Sequence, residues 1–132
     1  METETHIEVT EAHTDALGHL NHVRAVRYLE LARDEWLSAC GLFDSASGTR
    51  YASVVVNVNY NYKRECFLGE QLRVTSRPKY MGNKSYTMTH EIIKPSGEVA
   101  IDGEATSVVM DMNQRTIIAV PPCMAVYLPR RT

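Results

Sequence analysis

The 132-residue chain lacks any apolar run close to the roughly 20 residues that a membrane-spanning helix needs, which argues against a helical anchor. It also lacks a dominant charge. Fourteen Lys and Arg face 16 Asp and Glu, a net charge of −2, so bulk electrostatics gives no case for nucleic acid or a membrane surface as partner. Cysteine is scarce: Cys40, Cys66 and Cys123 are odd in number and far apart. That pattern argues against a disulfide framework and fits a reducing cytoplasm. No CxxC pair points to zinc. The first residues, Met1–His6, are polar and acidic, unlike a secretory signal. Repeats, low-complexity tracts and linkers are absent. Residues 1–132 therefore read as one domain, with 1–4 and 122–132 expected to be flexible tails.

What is present is an ordinary globular composition, 44% hydrophobic and 23% charged, in a chain long enough for one real core. Residues 5–11 suit a short strand. Residues 21–40 suit one helix closed by Gly41. Ala25, Leu29, Ala32, Trp36 and Ala39 form a stripe at helical spacing, with Arg24, Arg27, Glu30, Asp34 and Ser38 opposite. Strands follow over about 53–62, 70–80, 84–94, 98–110 and 116–120. Turn signals at Met81-Gly82-Asn83, Pro95-Ser96-Gly97 and Asp111–Gln114 separate the last four, and Pro121-Pro122 is expected to end regular structure. In 53–62, alternation puts Val54, Val56, Val58, Tyr60 and Tyr62 on one face and Val55, Asn57, Asn59 and Asn61 on the other. Short connections imply antiparallel pairing, and a single striped helix must bury its stripe on the sheet. The expected class is α+β: one long helix on a curved antiparallel sheet.

The densest chemistry lies in His13-Thr14-Asp15-Ala16-Leu17-Gly18-His19-Leu20-Asn21-His22, a polar loop running into that helix. A helix start offers unpaired N–H groups and the positive end of a dipole. A carboxylate beside it suits attack on a polarised carbonyl, although an Asp before a helix also serves as a plain turn or capping residue. Four residues of metal-ligand type, His13, Asp15, His19 and His22, fall within ten positions here, but their spacing matches no metal motif, and no metal is expected.

The pattern Asp15-x-x-Gly18-His19-x-Asn21-His22, followed by a helix carrying Glu30-Leu31-Ala32-Arg33, resembles the hot-dog-fold acyl-CoA thioesterases of the 4-hydroxybenzoyl-CoA thioesterase type. A strand ending in Tyr62, then Leu68-Gly69-Glu70-Gln71-Leu72, then Lys84-Ser85, extends the likeness over roughly residues 5–120. Position 25 is Ala where relatives often carry Tyr, position 65 is Glu where they often carry Pro, and Glu70 replaces the usual Asp.

The resemblance implies a hot-dog fold and hydrolysis of an acyl-CoA or acyl-carrier-protein thioester. Asp15 would act as nucleophile or general base. The backbone N–H near His22 would polarise the carbonyl, and the His22 side chain would assist or orient. Gly18, His19 and Asn21 would support the loop. Lys63, Arg64, Lys84, Arg130 and Arg131 are candidates for CoA phosphates, and Arg73, Arg77, Lys79 and Arg115 are further basic residues of the same kind. No cofactor is implied. A sheet edge and an open groove favour a homodimer or homotetramer with its site at the protomer boundary. Two rivals are a hot-dog hydratase or dehydratase, against which stands the lack of a Gly-Asp-x-Asn-Pro-x-His signature, and a non-catalytic acyl-ligand-binding protein.

Overall fold

Short turns between alternating segments oblige neighbouring strands to run antiparallel. In the computed structural model, which describes residues 1–44 and 48–131, they do. The order is β1 (Thr3–Glu8), a 3-10 turn (Glu11–His13), α1 (His22–Cys40), β2 (Tyr51–Tyr62), β3 (Gln71–Met81), β4 (Ser85–Ile93), β5 (Val99–Asp111), β6 (Thr116–Ile118) and α2 (Pro122–Ala125). The strands form one sheet in the order β1-β3-β4-β5-β2, with β6 paired to β5. Sheet and helix make the expected hot-dog fold.

α1 starts where the sequence says it should. The Asn21 side chain accepts a hydrogen bond from the Val23 N–H, a standard way to satisfy a free donor at a helix start. It stops at Gly41, whose left-handed backbone (φ 89°) lets its N–H reach the carbonyls of Leu37 and Ser38. Ala25, Tyr28, Leu29, Ala32, Arg33, Trp36 and Leu37 are buried against the sheet. Ala39, expected in the stripe, is exposed. A seven-residue repeat drifts about 20° per heptad on a straight helix, so by the third alanine the buried face has rotated towards Leu37.

The core has two parts. One gathers Leu20, Ala25, Leu29 and Ala32 with Leu72, Val74, Ile92 and Ile101 beneath the first half of α1. The other centres on Trp36 and Leu37 with Tyr86, Met88, Val109, Met124 and Leu128.

Three expectations need correction. First, β2 does not alternate without interruption. A bulge between Val55 and Asn57 shifts its register against β5, so one residue is left out of the two-sided count. Val55 thereby shares the helix-side face with Val58, Tyr60 and Tyr62, while Val54 goes to the other face with Asn57, Asn59 and Asn61. Second, the described residues of both expected tails, 1–4 and 122–131, are bonded to the body. β1 begins at Thr3, and Trp36 Nε1 donates to the Met1 carbonyl at 3.0 Å. Pro122 opens α2, a position where its missing N–H costs nothing. Met124 and Leu128 are buried, and residues 129–131 dock on Met81 through Met81 N–H to the Pro129 carbonyl (2.8 Å) and Arg131 N–H to the Met81 carbonyl (2.9 Å). Third, the first strand ends at Glu8, because residues 11–13 turn instead of extending.

Candidate active site

The loop before α1 is a tight, internally bonded hairpin. Asp15 N–H donates to the His19 carbonyl at 3.1 Å and Gly18 N–H to the Asp15 carbonyl at 3.0 Å. Gly18 sits at φ 78°, a conformation that a side chain would strain. Leu20 N–H reaches the Cys66 carbonyl (2.7 Å) and Asn21 N–H the His13 carbonyl (2.9 Å), which seats the loop on the segment after β2.

Asp15 Oδ1 accepts from the Leu17 N–H at 2.9 Å. Its other oxygen, Oδ2, lies 3.2 Å from His19 Nε2. The opposite ring nitrogen of His19 meets Glu65 Oε1 at 2.7 Å. His19 is thus held between two carboxylates. The hydrogen bond that its ring donates to Glu65, with the charges of Asp15 and Glu65, raises its pKa above the ordinary histidine value. Glu65 is itself held in a fixed turn: Lys94 Nζ donates to its carbonyl at 2.6 Å, and the Phe67 N–H donates to Glu70 at 2.6 Å.

A cavity of about 210 Å³ opens at this point, lined by Asp15, His19, His22, Tyr62, Arg64 and Cys66 among others. His22 stands edge-on to the Tyr62 ring, centroids 6.3 Å apart. Among the described residues no group accepts from the His22 N–H, as befits the first residue of a helix. Burial pushes the Cys66 thiol up to about 11, so it stays protonated and is no nucleophile at neutral pH.

The structure therefore brings Asp15, Gly18, His19, Asn21 and His22 into one place, with Arg64 on the rim. Lys63 is adjacent but paired with Asp102 at 2.6 Å, and Arg64 with Glu98 at 3.1 Å. Lys84, Arg130 and Arg131 are not there. They cluster beyond the far end of β3, where Arg131 covers the Tyr80 ring, and the seven steps from Val74, level with Ile101 of the cavity wall, to Met81 put that end about 23 Å away. His13 turns aside to bond the Tyr28 hydroxyl. Among the described residues no three His, Cys, Asp or Glu are placed to hold a metal ion. Glu65 is not legible as a partner from the sequence. Its one signal was an acid where relatives often have proline.

A family model described as the thioesterase-like superfamily matches residues 9–128. The chain belongs to that superfamily. It is thereby a thioester hydrolase. Among curated relatives, the long-chain acyl-CoA thioesterase FadM of Escherichia coli is 32% identical over 118 residues, 89% of both chains. The putative acyl-CoA thioesterase YneP of Bacillus subtilis is 30% identical, covering 80% of this chain and 77% of its own. Among solved structures, a DHNA-CoA thioesterase from Staphylococcus aureus superposes with a TM-score of 0.78 at 25% identity, covering 89% of this chain and 80% of that one. No described helix is long and apolar enough to cross a membrane.

Proposed function

We propose that the protein hydrolyses acyl-CoA thioesters with Asp15 as the catalytic carboxylate. The observation that carries this reading is the meeting of Asp15, His19 and His22 in one cavity at the start of α1, in a chain whose relatives include named acyl-CoA thioesterases. The thioester carbonyl would accept from the His22 N–H, where a free donor and the helix dipole favour a developing oxyanion. Asp15 attacks the carbonyl carbon or takes a proton from the attacking water. His19, gripped by Glu65, fixes the Asp15 carboxylate from behind and is a positioning residue. Arg64, on the cavity rim, and Lys63 beside it are the candidate cations for the CoA phosphates.

The active unit in this reading is a homodimer. β2 is a free edge of twelve residues without proline, and Val54, Val55, Val56 and Val58 are exposed on it. Such an edge invites pairing, and a second copy is the occupant that suits it. Pairing would also close the cavity side next to Tyr62, and Lys84, Arg130 and Arg131 can reach the same CoA only if a second copy carries them across.

A hydrolysis screen over short, long and aromatic acyl-CoAs, with acyl-carrier-protein thioesters alongside, tests the activity and the carrier. Absence of turnover on every thioester would overturn the proposal in favour of a binding protein. Light scattering tests the assembly. Val58→Lys is expected to weaken the dimer at least tenfold, and a wild-type monomer at micromolar concentration would refute it.

A further inference from the structure

The three cysteines are far apart in the chain, yet the fold brings two of them together. Cys40 is the last residue of α1, and Cys123 is the second of α2. Trp36 stands edge-on to Tyr127, ring centroids 6.2 Å apart. Four residues on from Trp36 is Cys40, and four residues back from Tyr127 is Cys123. The Cys40 and Cys123 thiols also meet, within hydrogen-bonding contact. The two contacts mean that the segment 123–127 runs antiparallel to the last turn of α1, and they lie about 6 Å apart along the helix. Both cysteines pack on the part of the core that holds Trp36, Leu37 and Met124.

Nothing in the proposed reaction uses this pair. The whole of α1, 19 residues or about 28 Å, separates Cys40 from His22. Cys40 is half-buried, and its thiol donates to the Leu37 carbonyl at 3.2 Å. Burial pushes that thiol up to about 11, so it is seldom a thiolate at neutral pH. Cys40 is therefore badly suited to open an exchange with a reagent in solution. It is well suited to close one, because the sulfur it must then attack is already beside it.

From this contact we infer that Cys40 and Cys123 are a modification site, a dithiol that a small-molecule disulfide of the glutathione class converts into a reversible cross-link between α1 and the C-terminal segment. The Cys123 thiolate attacks one sulfur of the reagent and breaks its S–S bond. A mixed disulfide forms on Cys123, and one reduced thiol leaves with the proton that Cys123 gave up. Cys40 then loses its proton and attacks the Cys123 sulfur, and the second reduced thiol leaves with that proton. Two protein thiols are oxidised and one reagent disulfide is reduced to two thiols. Cys66 takes no part, since it is buried in the other part of the core.

Closure would fasten a segment that Met124, Leu128 and the Met81 backbone bonds otherwise hold without a covalent tie. It also ties off a loop of about 80 residues, which restricts the unfolded chain and so stabilises the folded one. Where the surroundings are reducing the pair stays open, and oxidising conditions staple it. The inference does not depend on the catalytic reading.

The test incubates the folded protein in graded ratios of oxidised to reduced glutathione, quenches in acid, alkylates the remaining thiols after unfolding and maps the peptides. One cross-link is expected, Cys40 to Cys123, in a chain that keeps its single-chain mass on a non-reducing gel, with Cys66 alkylated. At equal protein concentration the oxidised form should melt about 10 °C higher than the reduced form, and dithiothreitol should abolish the difference. Cys40→Ser should stop the sequence at a mixed disulfide between Cys123 and glutathione, with no such rise in Tm. If that variant does not fold, the oxidised and reduced wild-type forms still decide the matter. Alkylation of all three cysteines at every ratio overturns the site. So do mixed disulfides that never close in the wild-type protein, and cross-links that join two chains or involve Cys66. A Cys40–Cys123 cross-link that leaves Tm unchanged or lower also overturns it, because the sulfurs would then meet only by distorting the native packing.

Discussion

His19 and His90 are the same residue driven in opposite directions. His19 lies in the loop before α1 with a carboxylate on each ring nitrogen, and the Glu65 hydrogen bond favours its charged form. His90 lies under α1, 1% exposed, with Nδ1 near the Thr75 carbonyl and Ser76 and with Nε2 bare. Burial first, and then the charge of Arg33, pull its pKa down to about 4. One end of the helix–sheet seam therefore gathers charge at the surface. The middle of it excludes a second charge while keeping one. The proposed reaction centre belongs to the first environment, where Asp15 lines an open cavity that a substrate can reach.

The sharpest way to break this contrast is to remove the carboxylate on which the charged end is centred. Asp15→Asn keeps the shape but loses basicity and nucleophilicity. We expect kcat to fall about 10²–10⁴-fold with KM little changed, read by steady-state hydrolysis of the best acyl-CoA. A near wild-type rate in a folded dimer would refute the assignment. His22→Ala should cost less than Asp15→Asn in the same assay, since the backbone N–H at that position remains.

The next effect probes the excluded end. The unfolded chain protonates His90 near pH 6.5, whereas the folded one resists until about pH 4. Stability should thus fall as pH drops through that window and level off below it. The loss is on the order of 3 kcal/mol. Urea titrations from pH 7 to pH 4 measure it, and His90→Leu should flatten the dependence.

The smallest effect sharpens the charged end. Because the folded-state value of His19 is raised, its contribution is full below the unfolded value near 6.5 and is lost as pH rises through the folded value. Glu65→Gln removes the main cause, so the His19 midpoint followed by NMR should move down towards 6.5. An unmoved midpoint would show that Glu65 does not hold the ring in solution.

These two regions were not equally readable in the sequence. The Asp15–His22 loop and α1 are short-range objects. Acid, glycine, cap and apolar period all lie within one stretch of about 30 residues, and the fold followed from them with hairpins to match. Glu65 escaped because its partner, His19, is 46 residues away and nothing local distinguishes it from a surface acid. Arg33 escaped for the opposite reason: a charged residue beside a helical stripe is normally solvated, and only the tertiary packing encloses it. In β2, three consecutive valines hid the bulge, since an apolar residue left out of register looks the same on either face. The C-terminal segment reads as loose because two prolines ordinarily end regular structure, but Met124 and Leu128 anchor it in the second part of the core.

The bond from Trp36 to the Met1 carbonyl gives this protein a built-in optical probe. Trp36 is its sole tryptophan, fully enclosed, with its indole N–H on Met1 and its ring edge-on to Tyr127, centroids 6.2 Å apart. Intrinsic fluorescence excited at the tryptophan band consequently reports one spot, where the first residue, the helix and the last segment touch. Peeling either terminus from the body would wet the indole and shift its emission to the red before the sheet itself opens. Fraying of the ends and global melting can thus be told apart with no label added.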